Sequence, residues 1–478
     1  MSAPHYLNYI AGEWVDSDEK LDVINPATEQ LAGTIALAGE HEVQRAVTAA
    51  RAFADQGTLY DMRPAERAQL IYRIANKIRA IAERGVPLLV AENGKTTAEA
   101  QAEFNNAARY FEYYAGMADK IEGRSIPLGE GYVDFTYYEP LGVSGQIVPW
   151  NFPVDLAGRS MAPALAAGNA VVVKSPELTP LAMTLLAEAC DNAGLPKGAL
   201  SLLCGYGDVA GAALVANPGV DQIVFTGSVA TGKTILHAAA ERAIPCVMEL
   251  GGKSAAVVFP DADLDQLMNS VDWGIFFNSG QVCSAMSRML VHEDIHDEVL
   301  ARVTELAAGQ VLGEGSDEST TLTPVASANQ RDQVLAMCAT AEQQGAHLVT
   351  GGRSAERPGY FVEPTVFDRV LPHMNLFTDE VFGPVLAMST FKTEAEAWQL
   401  ANATDYGLVA GIFTNDLNIA MRGSKALKAG QIFVNEWYAG GVETPFGGVK
   451  LSGFGREKGQ EALYSYVNTK NVAIRLLD

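Results

Sequence analysis

The stretch Phe276-Phe277-Asn278-Ser279-Gly280-Gln281-Val282-Cys283-Ser284-Ala285 ends an apolar segment with a lone thiol in a glycine-containing turn. A cysteine attacks as its thiolate, so it needs partial exposure and surroundings that depress its pKa. A turn leading into new structure can supply both. Cys283 is therefore the candidate nucleophile, although most intracellular cysteines are small buried hydrophobes. Carboxylates, an amide donor and a nucleotide site elsewhere in the chain decide between the two.

Two stretches have nucleotide-binding character. Lys174-Ser175-Pro176-Glu177 places a cation and a carboxylate just beyond a β-branched run. The lysine can donate to ribose hydroxyls, and the carboxylate accepts from both hydroxyls while repelling a 2′-phosphate, which favours NAD over NADP. The competing reading is a solvated strand-end lysine and a helix-capping glutamate. Gly227-Ser228-Val229-Ala230-Thr231-Gly232-Lys233-Thr234 satisfies G-x-x-x-x-G-K-[ST] between a strand and a helix, so a P-loop phosphotransferase is one alternative. Against it, the loop follows several βα units, and the nearest acidic residue for magnesium is Asp261. Glycines and free amides at a helix N-terminus serve a dinucleotide pyrophosphate equally well. Gly205-Tyr206-Gly207-Asp208-Val209-Ala210-Gly211 is only a loose glycine pattern.

His292-Glu293-Asp294-Ile295-His296 fits H-E-x-x-H, whose chemistry needs both histidines on one face of one helix. Met289-Leu290-Val291 is strand-like and Asp294 resembles an N-cap, so His292 is expected before the helix that carries His296. No metal site is expected.

These residues need a scaffold, and 478 residues with 48% hydrophobic content can bury a large core in two or three domains. A formal net charge of -23 argues against nucleic acid and anionic membrane as partners, leaving small molecules. The five cysteines, Cys190, Cys204, Cys246, Cys283 and Cys338, are scattered without Cys-x-x-Cys, which fits a reducing compartment. Met1 to Tyr6 lacks a basic region followed by an apolar core, and no apolar run approaches the roughly 20 residues of a membrane span. A cytoplasmic location is expected.

Tyr6 to Val15 reads as a peripheral β-hairpin turning at Ala11-Gly12. Helical spacing recurs over 41–54, 64–83 and 99–117. Gly131 to Glu139 alternates with period two and predicts an exposed β arm. Between Gly142 and Phe259 short β-branched runs (143–148, 170–174, 200–204, 222–225, 246–250, 255–259) alternate with helical stretches, the signature of a doubly wound parallel sheet. Ligands gather at the carboxyl ends of such strands, where Lys174, Thr226, Gly227, Ser228 and Glu249 stand. A second α/β series is expected from about Met289 to Val434, then a glycine-rich stretch from Pro445, a helix and a final strand over 471–477.

Pro149-Trp150-Asn151-Phe152-Pro153, Lys174 to Glu177, Phe225-Thr226-Gly227-Ser228, Glu249-Leu250-Gly251-Gly252-Lys253, Gly280-Gln281-Val282-Cys283, Glu380-Val381-Phe382-Gly383-Pro384 and Pro445-Phe446-Gly447-Gly448 occur in that order. The ordered set resembles the NAD(P)-dependent aldehyde dehydrogenases, and the resemblance covers essentially the whole chain. It implies an α/β fold with a Rossmann-type doubly wound NAD-binding domain (1–120 and 140–248) and a second α/β catalytic domain (249–446). An oligomerisation arm and C-terminal tail (121–139 and 447–478) would serve a homodimer or homotetramer. Carried over residue by residue, the resemblance makes Cys283 the nucleophile, Glu249 the general base and Asn151 an oxyanion donor. The cofactor would be NAD, bound by Trp150, Lys174, Glu177, Phe225, Gly227, Ser228, Glu380 and Phe382, with Ser228 at the pyrophosphate and Glu380 on the nicotinamide ribose. A structural protein descended from such an enzyme usually lacks the nucleophile or the base, and both Cys283 and Glu249 are present.

For the substrate, Arg159 is the informative position, because many members that take neutral aldehydes carry tryptophan there. Arginine resembles members that oxidise semialdehydes with a distal carboxylate, which a guanidinium binds through two parallel hydrogen bonds. An acidic semialdehyde is therefore expected. The competing reading pairs Arg159 with Asp155 on one helix, a contact worth only about 0.3–0.5 kcal/mol. Succinate-semialdehyde dehydrogenases often carry a second arginine where this chain has Phe277. Trp437 and Tyr438 add aromatic surface expected near the tunnel mouth, which would suit an aromatic or neutral aldehyde.

Overall fold

In the computed structural model, which describes residues 3–477, the N-terminal alternation divides into β1 (His5–Tyr6), β2 (Asn8–Ile10) and β3 (Glu13–Val15). Met1 and Ser2, which open the segment read for a secretory signal, and Asp478, which ends the expected tail, lie outside the described residues. β2 and β3 form the expected hairpin, but it is not peripheral. Tyr9 pairs with Leu202 of the first large sheet, and Tyr9 and Ile10 are buried. β4 (Lys20–Ile24) and β5 (Leu31–Ala36) complete a small sheet with β1.

Three helices follow: α1 (Glu40–Asp55), α2 (Pro64–Asn93) and α3 (Thr97–Ala115). The spacing predicts an end for α2 near Glu83, yet the helix continues through Gly85 and Pro87. A Cβ on Gly85 would lie 2.1 Å from the Phe104 ring, so α2 and α3 pack tightly there. That packing holds a helix where local propensity would break it. α3 starts at a capping box in which Thr96 accepts from Glu99 N at 3.1 Å and Glu99 Oε2 accepts from Thr96 N at 2.7 Å.

The chain then runs through β6 (Tyr132–Pro140), β7 (Val143–Ile147), α4 (Pro153–Ala166), β8 (Ala170–Ser175), α5 (Leu181–Asn192) and β9 (Leu200–Cys204). It continues with α6 (Ala212–Ala216), β10 (Gln222–Thr226), α7 (Val229–Ala240) and β11 (Cys246–Glu249). β11-β10-β7-β8-β9 lie side by side and parallel. β8 and β9 are buried at every residue, as a sheet covered on both faces requires. The chain enters at β7, winds outward to β9, then returns to β10. The order therefore reverses between β7 and β10, and the crevice beyond their carboxyl ends is where such sheets bind ligands.

The run at 255–259 leaves this sheet. As β12 (Ala255–Val258) it pairs with β13 (Arg288–His292) and β17 (Val409–Phe413) in a second sheet. Gly251-Gly252 permits the crossing, since a Cβ on Gly252 would lie 2.3 Å from the Cys283 carbonyl oxygen. The second sheet also contains β14 (His347–Thr350), β15 (Thr365–Asp368), β16 (Val385–Phe391) and β18 (Gln431–Val434), in the order β14-β15-β16-β13-β12-β17-β18. The tail returns to the first sheet, where β19 (Gly453–Phe454) pairs antiparallel with β11. The final strand is β20 (Val467–Arg475), which begins earlier than expected because it pairs along the whole of β6. Among the described residues no helix is long and apolar enough to cross a membrane.

Candidate active site

Cys283 follows a turn with three successive left-handed residues, Asn278 (φ 47°), Ser279 (φ 54°) and Gly280 (φ 70°). Such backbone is costly for Asn and Ser, so tertiary bonds must hold it. Ser279 Oγ donates to Thr323 O at 2.6 Å, and Gln281 Oε1 accepts from Ala326 N at 2.8 Å. A Cβ on Gly280 would lie 2.1 Å from Gly383 O, which seats the turn against the Glu380-to-Pro384 segment. Trp437, expected at the tunnel mouth, is instead 4% exposed and donates from Nε1 to Ser284 O at 3.1 Å. Its indole fills the core behind the Cys283 turn.

Cys283 is half-buried in the wall of a cavity of about 620 Å³. Burial pushes its thiol up to about 12; Arg159 pulls it down, while Glu249 and Glu380 raise it. Asn151, from the loop after β7, also lines the cavity. Its side-chain amide donates to Gln281 O at 2.8 Å, and Asn278 Nδ2 donates back to Asn151 O at 3.0 Å. The two loops are thus bonded in both directions. An amide nitrogen carries two protons, so Asn151 keeps a second donor for a ligand. Glu249, at the end of β11, is 1% exposed, and neither carboxylate oxygen has a hydrogen-bond partner. Burial, then the Glu457 charge, holds its carboxyl well above the usual range, with Arg159 and Arg456 opposing.

The expected nucleotide residues separate into two groups. Gly227, Ser228, Glu380, Trp150 and Phe382 line the same cavity. Ser228 caps α7, accepting from Thr231 N at 3.2 Å. Trp150 and Phe382 meet edge to face at 5.3 Å. Glu380 Oε1 accepts from Gly252 N at 2.9 Å, burial pushes its carboxyl to about 7, and a Cβ on Gly251 would lie 2.2 Å from Oε2. Lys174, Glu177 and Phe225 stand outside the cavity wall. Lys174 Nζ and Gly207 N both reach Glu177 Oε1, at 2.9 and 2.7 Å, and the Phe225 ring packs beneath Gly227.

A thiol, a desolvated carboxylate and an amide donor line one cavity beside a helix N-terminus, the set of groups that acyl chemistry coupled to a nucleotide requires. Residues 14–472 match the model of the aldehyde dehydrogenase family. The chain belongs to the aldehyde dehydrogenase family. It is 41% identical over 477 residues to an aldehyde dehydrogenase of Emericella nidulans, covering 98% of this chain and 95% of that protein. It is 39% identical to human retinal dehydrogenase 2, covering 98% and 91%. The solved NAD+ complex of an aldehyde dehydrogenase from Bacillus cereus superposes with a TM-score of 0.97 at 37% identity, covering 99% of this chain and 97% of that one.

As an aldehyde dehydrogenase the protein oxidises aldehydes, and the phosphotransferase alternative falls away. The H-E-x-x-H match is also divided between elements: His292 ends β13, whereas His296 opens a new helix and lies 2.8 Å from Asp368 Oδ1.

The substrate side departs from expectation. Arg159, expected to face substrate, is on α4 and 6% exposed, and its Nη2 forms an ion pair with Glu457; the competing pair with Asp155 does not form either. Glu457 comes from the tail, anchored by a backbone bridge in which Phe446 N donates to Glu457 O at 2.6 Å and Glu457 N to Phe446 O at 2.7 Å. The Arg159 guanidinium lies 5.2 Å from the Phe446 ring centroid. Phe277 stacks on Phe152 at 5.6 Å and meets Trp273 at 5.4 Å and Tyr438 at 6.3 Å. Sequence reasoning missed Glu457, and also Lys95, Glu99 and Glu103. Their one local signal was the capping box, which reads as helix chemistry alone.

Proposed function

We propose that the protein oxidises neutral, apolar or aromatic aldehydes to carboxylic acids with NAD. The observation that carries the substrate class is the aromatic wall of Phe152, Trp273, Phe277 and Tyr438, together with an Arg159 whose charge is already matched by Glu457. An acidic semialdehyde would have to break that buried pair before Arg159 could receive it, leaving Glu457 uncompensated.

In this reading the Cys283 thiolate adds to the aldehyde carbon, and the resulting oxyanion accepts from the free Asn151 amide proton and from the Cys283 backbone N–H. NAD would enter along the carboxyl edge of the first sheet: the α7 N-terminus with Ser228 would take the pyrophosphate, Glu380 in the cavity the nicotinamide ribose, and Lys174 and Glu177, beyond the cavity wall, the other ribose. When bound, NAD supplies the hydride acceptor that carries the Cys283 adduct to a thioester. Glu249 then takes a proton from the water that hydrolyses the thioester. Its unpartnered oxygens leave it free to take that proton, and its raised pKa makes it a stronger base than an ordinary carboxylate.

A second reading rests on Lys458, which lines the cavity and makes no ion pair among the described residues. It could receive the distal carboxylate of a semialdehyde. NADH formation on benzaldehyde and succinic semialdehyde decides between the two. A preference of about tenfold or more for the aromatic aldehyde, about 1.4 kcal/mol, supports the first reading. The opposite preference, lost in Lys458→Met, would establish the second.

We infer further that the β6–β20 ribbon, with Val133, Phe135 and Ile474 exposed, pairs with a second copy of the chain. A monomeric mass in light scattering would refute this.

A further inference from the structure

We propose that the buried Lys95–Glu103 pair, together with Glu99, is a positioning device that sets the Asn151 loop in register with the Cys283 turn. It rests on the reading of Asn151 as an oxyanion donor.

Lys95 and Glu103 are both 0% exposed, and Lys95 Nζ donates to Glu103 Oε2 at 2.7 Å. Neither group touches the thiol, and each reaches into the loop that carries Asn151. Lys95 Nζ also donates to Asn151 O at 2.9 Å and lies 4.1 Å from the Phe152 ring centroid. Glu103 Oε1 accepts from Val154 N at 2.8 Å and Asp155 N at 3.3 Å. These amides open α4, whose N-cap residue Phe152 offers no side-chain bond and whose first residue is Pro153. A carboxylate from α3 therefore caps α4, where the helix end favours negative charge.

Glu99 stands four residues before Glu103, so the two share a face of α3. Its Oε2 is taken by the capping box, and its Oε1 accepts from Asn278 N at 2.6 Å, in the left-handed turn before Cys283. One face of one helix thus anchors both loops, and the reciprocal Asn151 and Asn278 bonds lie between the anchors. A buried ion pair adds little to stability compared with a well-packed apolar pair. What it adds here is placement of a donor that must sit within a fraction of an ångström of the developing oxyanion.

The test compares two reactions of the same thiol. Acylation of Cys283 by p-nitrophenyl acetate builds an oxyanion, and alkylation by iodoacetamide builds none. In Lys95→Met/Glu103→Leu no buried charge of the pair is left alone, but the Val154 and Asp155 amides lose their acceptor, so melting is expected to fall by a few degrees, about 5 °C at most. Acylation should slow by about tenfold or more while alkylation stays within about twofold. On an Asn151→Ala background the pair change should add less than about twofold. If acylation and alkylation fall together, if neither falls, or if the effect persists undiminished on Asn151→Ala, the proposal is overturned. Should the double variant not fold, Glu103→Gln carries the same comparison. Asn151→Ala acylating at full rate would remove the oxyanion reading and this inference with it; slow Asn151→Ala beside a fast pair variant removes the inference alone.

Discussion

Arg159 and Glu457 form an ion pair at the rim of the Glu249 and Cys283 site, both side chains less than a tenth exposed, with Asp155 one helical turn away and not joined to it. A helix presents residues four apart on one face, but Glu457 arrives from the tail and takes the guanidinium.

Arg159→Met should therefore act on the whole site and not on one substrate. Removing one partner of a buried pair costs about 3–5 kcal/mol. The melting temperature should fall, with kcat/KM falling alike for acidic and neutral aldehydes, and Arg159→Met/Glu457→Met should regain most of the stability. A rise in KM confined to acidic aldehydes, with melting unchanged, would contradict the pairing.

Glu249 governs the expected pH dependence. Burial, then Glu457, raises its carboxyl well above the ordinary value of 4.5. Only the ionised form is a base, so kcat should fall as pH drops through that raised pKa. Glu457→Gln removes the raising charge and should move the acid limb to lower pH. In Glu249→Gln a first turnover of NADH should survive while steady-state turnover drops by about 10²-fold or more. A limb unmoved in Glu457→Gln would count against Glu249 as the base.

The resting thiol should be slow to alkylate. With Cys283 pushed to about 12 by burial, its inactivation by iodoacetamide without NAD should rise about tenfold per pH unit through about pH 9. A plateau near neutral pH would show a thiolate already formed.

Gly280→Ala tests the turn. Its φ of +70° is strained for alanine, and the added Cβ would meet Gly383 O at 2.1 Å. A loss of about 3 kcal/mol or more in urea unfolding is expected, together with loss of turnover. A variant as stable as the parent would mean that the two segments are not in contact.

Glu177→Gln should narrow the preference for NAD over NADP by about tenfold, because the carboxylate at the end of β8 is the group that would repel a 2′-phosphate. Steady-state kinetics with both cofactors measure it; an unchanged ratio would leave Glu177 only its bonds to Lys174 and Gly207 N.

Much of the molecule was legible from local pattern. β9 coincides with the run at 200–204, the hairpin turns at Ala11-Gly12, and the period-two arm became β6. These elements follow from backbone preference and side-chain alternation, which operate within a few residues. The ordered motifs likewise identified the family, and most of the residues they single out meet in one cavity.

Contacts between distant segments were not legible. Local signals end α2 at Gly85 and Pro87, and the Phe104 ring against Gly85 carries it on. The β-branched run at 255–259 looks like one more strand of the first sheet, and the Gly251-Gly252 crossing sends it to the second. Trp437 reads as tunnel surface and is core, Arg159 reads as a substrate clamp and is paired, and the buried Lys95–Glu103 pair leaves no mark in the local pattern. Sequence by itself determined which elements form, which family the chain belongs to and which thiol is the candidate nucleophile. Only tertiary structure decided which charges neutralise one another, because a charge leaves water only where the fold brings it a partner, and that partner need not be near in the chain.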